Sequence, residues 1–213
     1  MGRLVVQTKD LHLMSGSGTT ESARSRVLLT LLAISVATVS TAAAQAHAQQ
    51  AVIIVRHGEK AEAPKDNPPL SPAGQARAQA LLEALRDGGI TTVITTDQER
   101  TRATAAPLLA RLHLQRHIVP RSEHPEADAQ AIAQIVRHAG GTVLVVSHQL
   151  TIPHIIADLG GPPVPTMCDV EFSNLYILVP GSRASGLRLI HGHFGAPDPP
   201  HAADCHITPI SPP

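Results

Sequence analysis

Beyond residue 50 the chain alternates between unbroken apolar runs rich in β-branched residues and longer stretches whose apolar positions recur every three or four residues. Ala51-Val52-Ile53-Ile54-Val55 is the first unbroken run, and a strand covered on both faces reads this way because neither side meets water. Thr91–Thr95, His117–Val119 and Thr142–Val146 repeat the pattern further along. Between them lie helical spacings. Ser71-Pro72 opens the first, with Ser as N-cap and Pro at the first helical position, and Gly88-Gly89 stops it. A second helix is predicted from Asp97 to Leu112, where Pro107 is expected to bend it. A third covers Ala127–His138 and ends at Gly140-Gly141, and a fourth lies between Thr151 and Leu159. Asn174–Val179 and Leu187–His193 are predicted to close the series as an antiparallel hairpin. Strands alternating with helices of this size predict an α/β fold, a three-layer αβα sandwich on a mostly parallel sheet.

The two ends of the chain do not share this rhythm. Arg24 and Arg26 precede the apolar stretch Val27–Ala37, and small residues with an A-x-A site, Ala46-His47-Ala48, follow. Positive charge, a short apolar core and small residues in that order predict a secretory signal peptide over residues 1–48. Met14 is an alternative start that would leave a conventional short charged region. A membrane anchor is the competing reading, but the apolar core falls short of the ~20 residues a span needs. The expected organisation is therefore a signal at 1–48, a single domain at 49–195 and a Pro-rich tail at 196–213. The product is expected to be exported, periplasmic or secreted, with no membrane span after signal cleavage.

Charge and cysteine content narrow the chemistry. The 17 basic and 17 acidic residues balance, and the part beyond residue 48 keeps 13 basic and 15 acidic. That leaves no basic stripe for a nucleic-acid backbone and excludes nucleic acid as the expected partner. Cys168 and Cys205 are too few for a disulfide scaffold but enough for one bridge in an oxidising compartment. The 13 histidines are scattered, without H-E-x-x-H or paired cysteines at zinc spacing, so no metal and no cofactor are expected. Oligomeric state is not legible.

In an open α/β sheet, ligands sit beyond the carboxyl ends of the strands. Here the first strand runs into Arg56-His57-Gly58-Glu59, the second into Thr95-Thr96-Asp97-Gln98-Glu99-Arg100, and the strongest into Ser147-His148-Gln149. Two arginines and two histidines would thus meet in one crevice. Guanidinium matches phosphate oxygens in a bidentate geometry, and neutral imidazole is a competent nucleophile. Gly58 would let the backbone turn sharply beside His57. Glu59 and Lys60 stand either at the pocket mouth or in a surface ion pair.

These segments together resemble a known family. Arg56-His57-Gly58-Glu59 is similar to the R-H-G-E signature of the histidine phosphatase superfamily, whose fold is phosphoglycerate mutase-like. Leu70-Ser71-Pro72-Ala73-Gly74 resembles its L-[ST]-x-x-G helix start. Thr95–Ala105 resembles its S-S-x-x-x-R-x-x-x-T-A block with Thr for both Ser, and Val145-Val146-Ser147-His148 resembles its V-[SG]-H block. The compact form, with Glu59-Lys60, is similar to the small bacterial branch related to phosphohistidine phosphatases. The absence of Asp after His148 sets it apart from the acid phosphatase and phytase branch.

The resemblance implies a phosphomonoester hydrolase working through a phosphohistidine on His57, with a small phosphorylated substrate. His148 would share the phosphate pocket, and Arg56 and Arg100 would hold the phosphoryl oxygens. A general acid is expected beyond the helix that carries the second arginine. Glu123 is the first choice there, with Asp128 and Glu126 behind it. Two alternatives remain on the same fold: a phosphoglycerate-mutase-like phosphotransferase and a non-catalytic phosphoryl-ligand-binding protein.

Overall fold

The computed structural model describes residues 49–181 and 186–200, so the expected signal segment, residues 201–213 and Cys205 lie outside the described residues. Ten elements follow one another: β1 (Gln49–Arg56), α1 (Pro72–Leu85), β2 (Ile90–Thr96), α2 (Glu99–Leu112), β3 (Arg116–Val119), α3 (Pro125–His138), β4 (Gly141–Ser147), α4 (Thr151–Asp158), β5 (Asn174–Pro180) and β6 (Leu187–His193). The six strands form one sheet in the order β3-β2-β4-β1-β5-β6. β1, β2, β3 and β4 run parallel, while β5 pairs antiparallel with both β1 and β6. The expected αβα sandwich and its terminal hairpin are both present.

Alternation along β1 divides the core. Val52 and Ile54 face one layer with Ile132, Val136, Ile152, Ile155 and Ile156 of α3 and α4. Ile53 and Val55 face the other, with Leu81 and Leu85 of α1 and Ala105, Leu108 and Leu109 of α2. A strand with period two can be apolar throughout only when each face has its own helical layer. Ser71 caps α1, its hydroxyl accepting from Gly74 N at 3.2 Å, and Pro72 occupies the first turn as the sequence predicts. Among the described residues no helix is long and apolar enough to cross a membrane.

Glu59 and the start of the expected tail are both fastened to α1. Arg77 of α1 is 4 % exposed, and its Nε donates to both carboxylate oxygens of Glu59 at 3.0 Å. Its Nη1 donates to Phe194 O and Ala196 O, each at 3.0 Å. Asp198 accepts from Phe172 N at 2.9 Å and from Ser173 N and the Ser173 hydroxyl. Ala196 and Asp198 of the expected tail are therefore tied to α1 and to the residues just before β5. Cys168 is disulfide-bonded.

Candidate active site

Register alone brings the two histidines together. Arg56 and Ser147 are direct partners at the ends of parallel β1 and β4, and His57 N donates to Ser147 O at 3.0 Å. The residue after each partner is a histidine, so the imidazoles of His57 and His148 face one another with ring centroids 5.3 Å apart. β2 lies on the other side of β4, and its end carries the chain into α2, where Arg100 sits in the first turn. The sheet order places Arg56, His57, Arg100 and His148 around one pocket of about 180 Å³.

The tautomer of His57 follows from its neighbours. Its Nδ1 lies 2.8 Å from Gly58 O, which can only accept, so Nδ1 carries the ring proton. Nε2 is left with its lone pair, and Arg100 Nε donates to it at 3.1 Å. Burial first, then the neighbouring His148 and the charges of Arg56 and Arg100, holds the His57 imidazole well below its ordinary pKa, against the pull of the Gly58 carbonyl. At neutral pH the ring is uncharged and nucleophilic.

Arg56 is anchored on one side and available on the other. Its Nη1 points at three backbone carbonyls, Cys168 O and Glu171 O at 2.8 Å and Asp169 O at 3.1 Å. The guanidinium lies 4.0 Å over the Phe172 ring, and Nε is buried with no partner in the protein. A buried donor without an acceptor is costly unless a ligand oxygen satisfies it. Burial lowers Arg56 to about 10, partly offset by Asp169, Asp198 and Glu171, and the group stays cationic at neutral pH. Arg100 is also lowered by burial and by the nearby Arg121 charge. His148 falls to about 3 through burial and the fields of Arg100, Arg121 and Arg56.

Each proposed residue can now be placed. Arg56, His57, Arg100 and His148 converge as the strand ends suggested. Glu123, the first choice for the acid, is exposed and does not line the pocket, and Glu126 is exposed beside His124 at 3.8 Å. Asp128 does line it, is 4 % exposed, and accepts from the Ser122 hydroxyl at 2.7 Å and from Ser122 N. The reason is helical geometry: α3 begins at Pro125, and Asp128 on its first turn faces inward while the residues just before it face water. Lys60 and Arg121 line the pocket too, whereas Glu59 has turned away to Arg77.

Several working residues gave only a faint signal. Thr104 accepts from Gly58 N at 2.9 Å and donates to Arg100 O at 2.7 Å, tying the His57-Gly58 turn to the helix that carries Arg100. Its place in the T-A pair of the motif was visible, but its task was not. Phe172, under Arg56, stands in a segment without periodicity, so no sequence signal marked it.

The parallel strands of this α/β sheet bring an uncharged imidazole between two guanidinium groups, a set of side chains able to bind a tetrahedral oxyanion. Residues 52–123 match the model of the histidine phosphatase superfamily (branch 1). Among solved structures, the protein histidine phosphatase SixA complexed with tungstate aligns with a TM-score of 0.53 and 18% identity, over 67% of this chain and 96% of that one. A mycobacterial glucosyl-3-phosphoglycerate phosphatase aligns with a TM-score of 0.50 and 16% identity, over 69% of this chain and 99% of that one. Phosphoserine phosphatase from Entamoeba histolytica, in complex with 3-phosphoglyceric acid, aligns with a TM-score of 0.50 and 15% identity, over 69% and 97%. At these identities the likeness is one of fold.

Proposed function

We propose that the protein is a phosphomonoester hydrolase that forms a phosphohistidine on His57. The observation that carries this reading is the His57 ring, its Nδ1 proton committed to Gly58 O and its Nε2 lone pair held at the pocket beside Arg100. Nε2 attacks phosphorus, the bond to the ester oxygen breaks, and its electron pair leaves with that oxygen. Arg56 and Arg100 hold the equatorial oxygens, whose charge the transition state spreads between them. Asp128 is the carboxylate placed to carry the proton to the leaving oxygen and then to take one from the attacking water. That water releases inorganic phosphate and returns the lone pair to His57. The superfamily and the phosphatases among its structural neighbours support hydrolysis of small phosphorylated substrates.

The test is turnover of p-nitrophenyl phosphate and of an alkyl phosphate by the wild type and by His57→Ala. His57 contributes little to the core, so the variant should keep its circular dichroism and lose turnover. A folded His57→Ala protein with substantial activity rules the mechanism out. The roles of a mutase and of a pure binder predict, respectively, transfer to an acceptor alcohol and binding without release of the alcohol.

We further propose export by the segment at residues 1–48, supported by its order of charge, apolar run and small residues and by the disulfide at Cys168. Mature protein from the native host should begin near Gln45 or Gln49. Recovery of a membrane-bound form that still carries Arg24 would favour an anchor.

A further inference from the structure

Two threonines between β2 and α2 form a hydrogen-bond chain into the pocket, and counting protons sets its direction. Thr101 Oγ1 lies 2.8 Å from Gln98 O and 3.1 Å from Thr96 O. Carbonyls only accept, so the single hydroxyl proton of Thr101 is committed to them. Toward Thr96 Oγ1, at 2.9 Å, Thr101 can then only accept, and the Thr96 proton must point to Thr101. What Thr96 offers to His148 Nε2, at 3.0 Å, is therefore a lone pair. Thr96 and Thr101 are 0 % exposed and His148 6 %, so water does not compete for these bonds.

We propose that Thr96, backed by Thr101, is a positioning residue that locks neutral His148 in the Nε2–H tautomer, so that Nδ1 faces the pocket as a bare lone pair. This rests on the phosphoryl-pocket reading above and adds a consequence to it. A lone pair opposed to a phosphate oxygen repels it, whereas an Nδ1–H would donate to it. A bound phosphate dianion is then accommodated by uptake of one proton from solvent onto Nδ1, giving an imidazolium that pairs with the dianion. A phosphate monoanion brings that proton with it. In the opposite tautomer, the dianion would bind with no proton change at His148. Thr96 thus couples His148 charge to occupancy of the pocket: the ring is neutral when free, as its lowering to about 3 also indicates, and charged when phosphate is bound.

Two measurements on the full chain test the proposal. The first is the nitrogen-15 long-range correlation spectrum of the imidazoles without phosphate. The wild type and Thr96→Ser should show His148 as Nε2–H. Thr101→Val should switch it to Nδ1–H, because the freed Thr96 proton then turns toward Nε2. A purely structural role would lower the Tm of these variants and leave the tautomer unchanged. The second is calorimetric titration with inorganic phosphate, in alkaline buffers that differ in ionisation enthalpy. Wild type and Thr96→Ser should take up about one proton more than Thr96→Val or Thr101→Val. An Nδ1–H tautomer in the wild type, or identical proton uptake in all folded variants, overturns the proposal. If the wild type binds no phosphate, the pocket reading fails, and the spectrum still decides the tautomer.

Discussion

Nε2 of His57 has one lone pair, which accepts from Arg100 Nε in the structure and which the proposed mechanism turns on phosphorus. The residues around it should fail in different ways when altered. In the proposed mechanism Arg100 stabilises oxygens that bear charge in every phosphomonoester, so Arg100→Ala should cost about 10²–10³ in kcat/KM whatever the leaving group. As the proposed acid, Asp128 would matter only where the leaving oxygen needs a proton, a contribution of about 10²–10⁴. Asp128→Asn should therefore slow an alkyl phosphate by that factor and affect p-nitrophenyl phosphate far less, while Glu123→Gln leaves both near wild type. Equal losses on the two substrates in Asp128→Asn would remove it from the proton-transfer role. The four core residues were legible because each directly follows a strongly patterned strand or opens the helix after one. The carboxylate was not, since three candidates within six residues differ only in which way the chain turns before α3, and that turn is set by Ser122 contacts across the loop.

Elements are held in place at this site by backbone approaching backbone. A Cβ on Gly58 would lie 2.8 Å from Gly74 O, and one on Gly74 would lie 2.2 Å from Glu59 O. The first turn of α1 is pressed against the turn that follows His57, with no room for a methyl group. This explains in physical terms why Leu70–Gly74 belongs with Arg56–Glu59 although the two are far apart in sequence. Gly74→Ala must push them apart, and a stability loss of about 1–3 kcal/mol in urea melts is expected, with a fall in kcat. Wild-type stability in Gly74→Ala would show that the contact yields freely. Strand and helix existence was legible from periodicity, whereas the placement of β5 antiparallel beside β1 was not. That pairing is a contact between distant segments, Val52 with Leu178 and Ile54 with Tyr176, and no local pattern encodes it.

For the molecule as a whole, the site imposes a pH dependence on folding. His57 and His148 are both held below their ordinary value, chiefly by burial, so the folded state keeps them neutral where the unfolded chain protonates. Unfolded chains bind more protons below about 6.5, and stability should fall as pH drops through that value. Asp198 adds a second fall. Burial alone would raise its pKa, but the hydrogen bonds from Phe172 and Ser173 and the charge of Arg77 outweigh it and leave the carboxyl below its ordinary value. Its contribution is present above about 3.9 and is lost as pH falls through the lower folded value. Urea melts from pH 7.5 to 5 should show the first loss in the wild type and a shallower one in His148→Asn, and a flat profile in the wild type would contradict the neutral pair. The central claim, a covalent phosphohistidine on His57, is tested most directly by rapid mixing with p-nitrophenyl phosphate followed by quenching. The account predicts a burst of p-nitrophenol matched by protein-bound phosphate that is stable in alkali, labile in acid and absent from His57→Ala. Steady turnover with no protein-bound phosphate, or the same label on the His57→Ala protein, would contradict it.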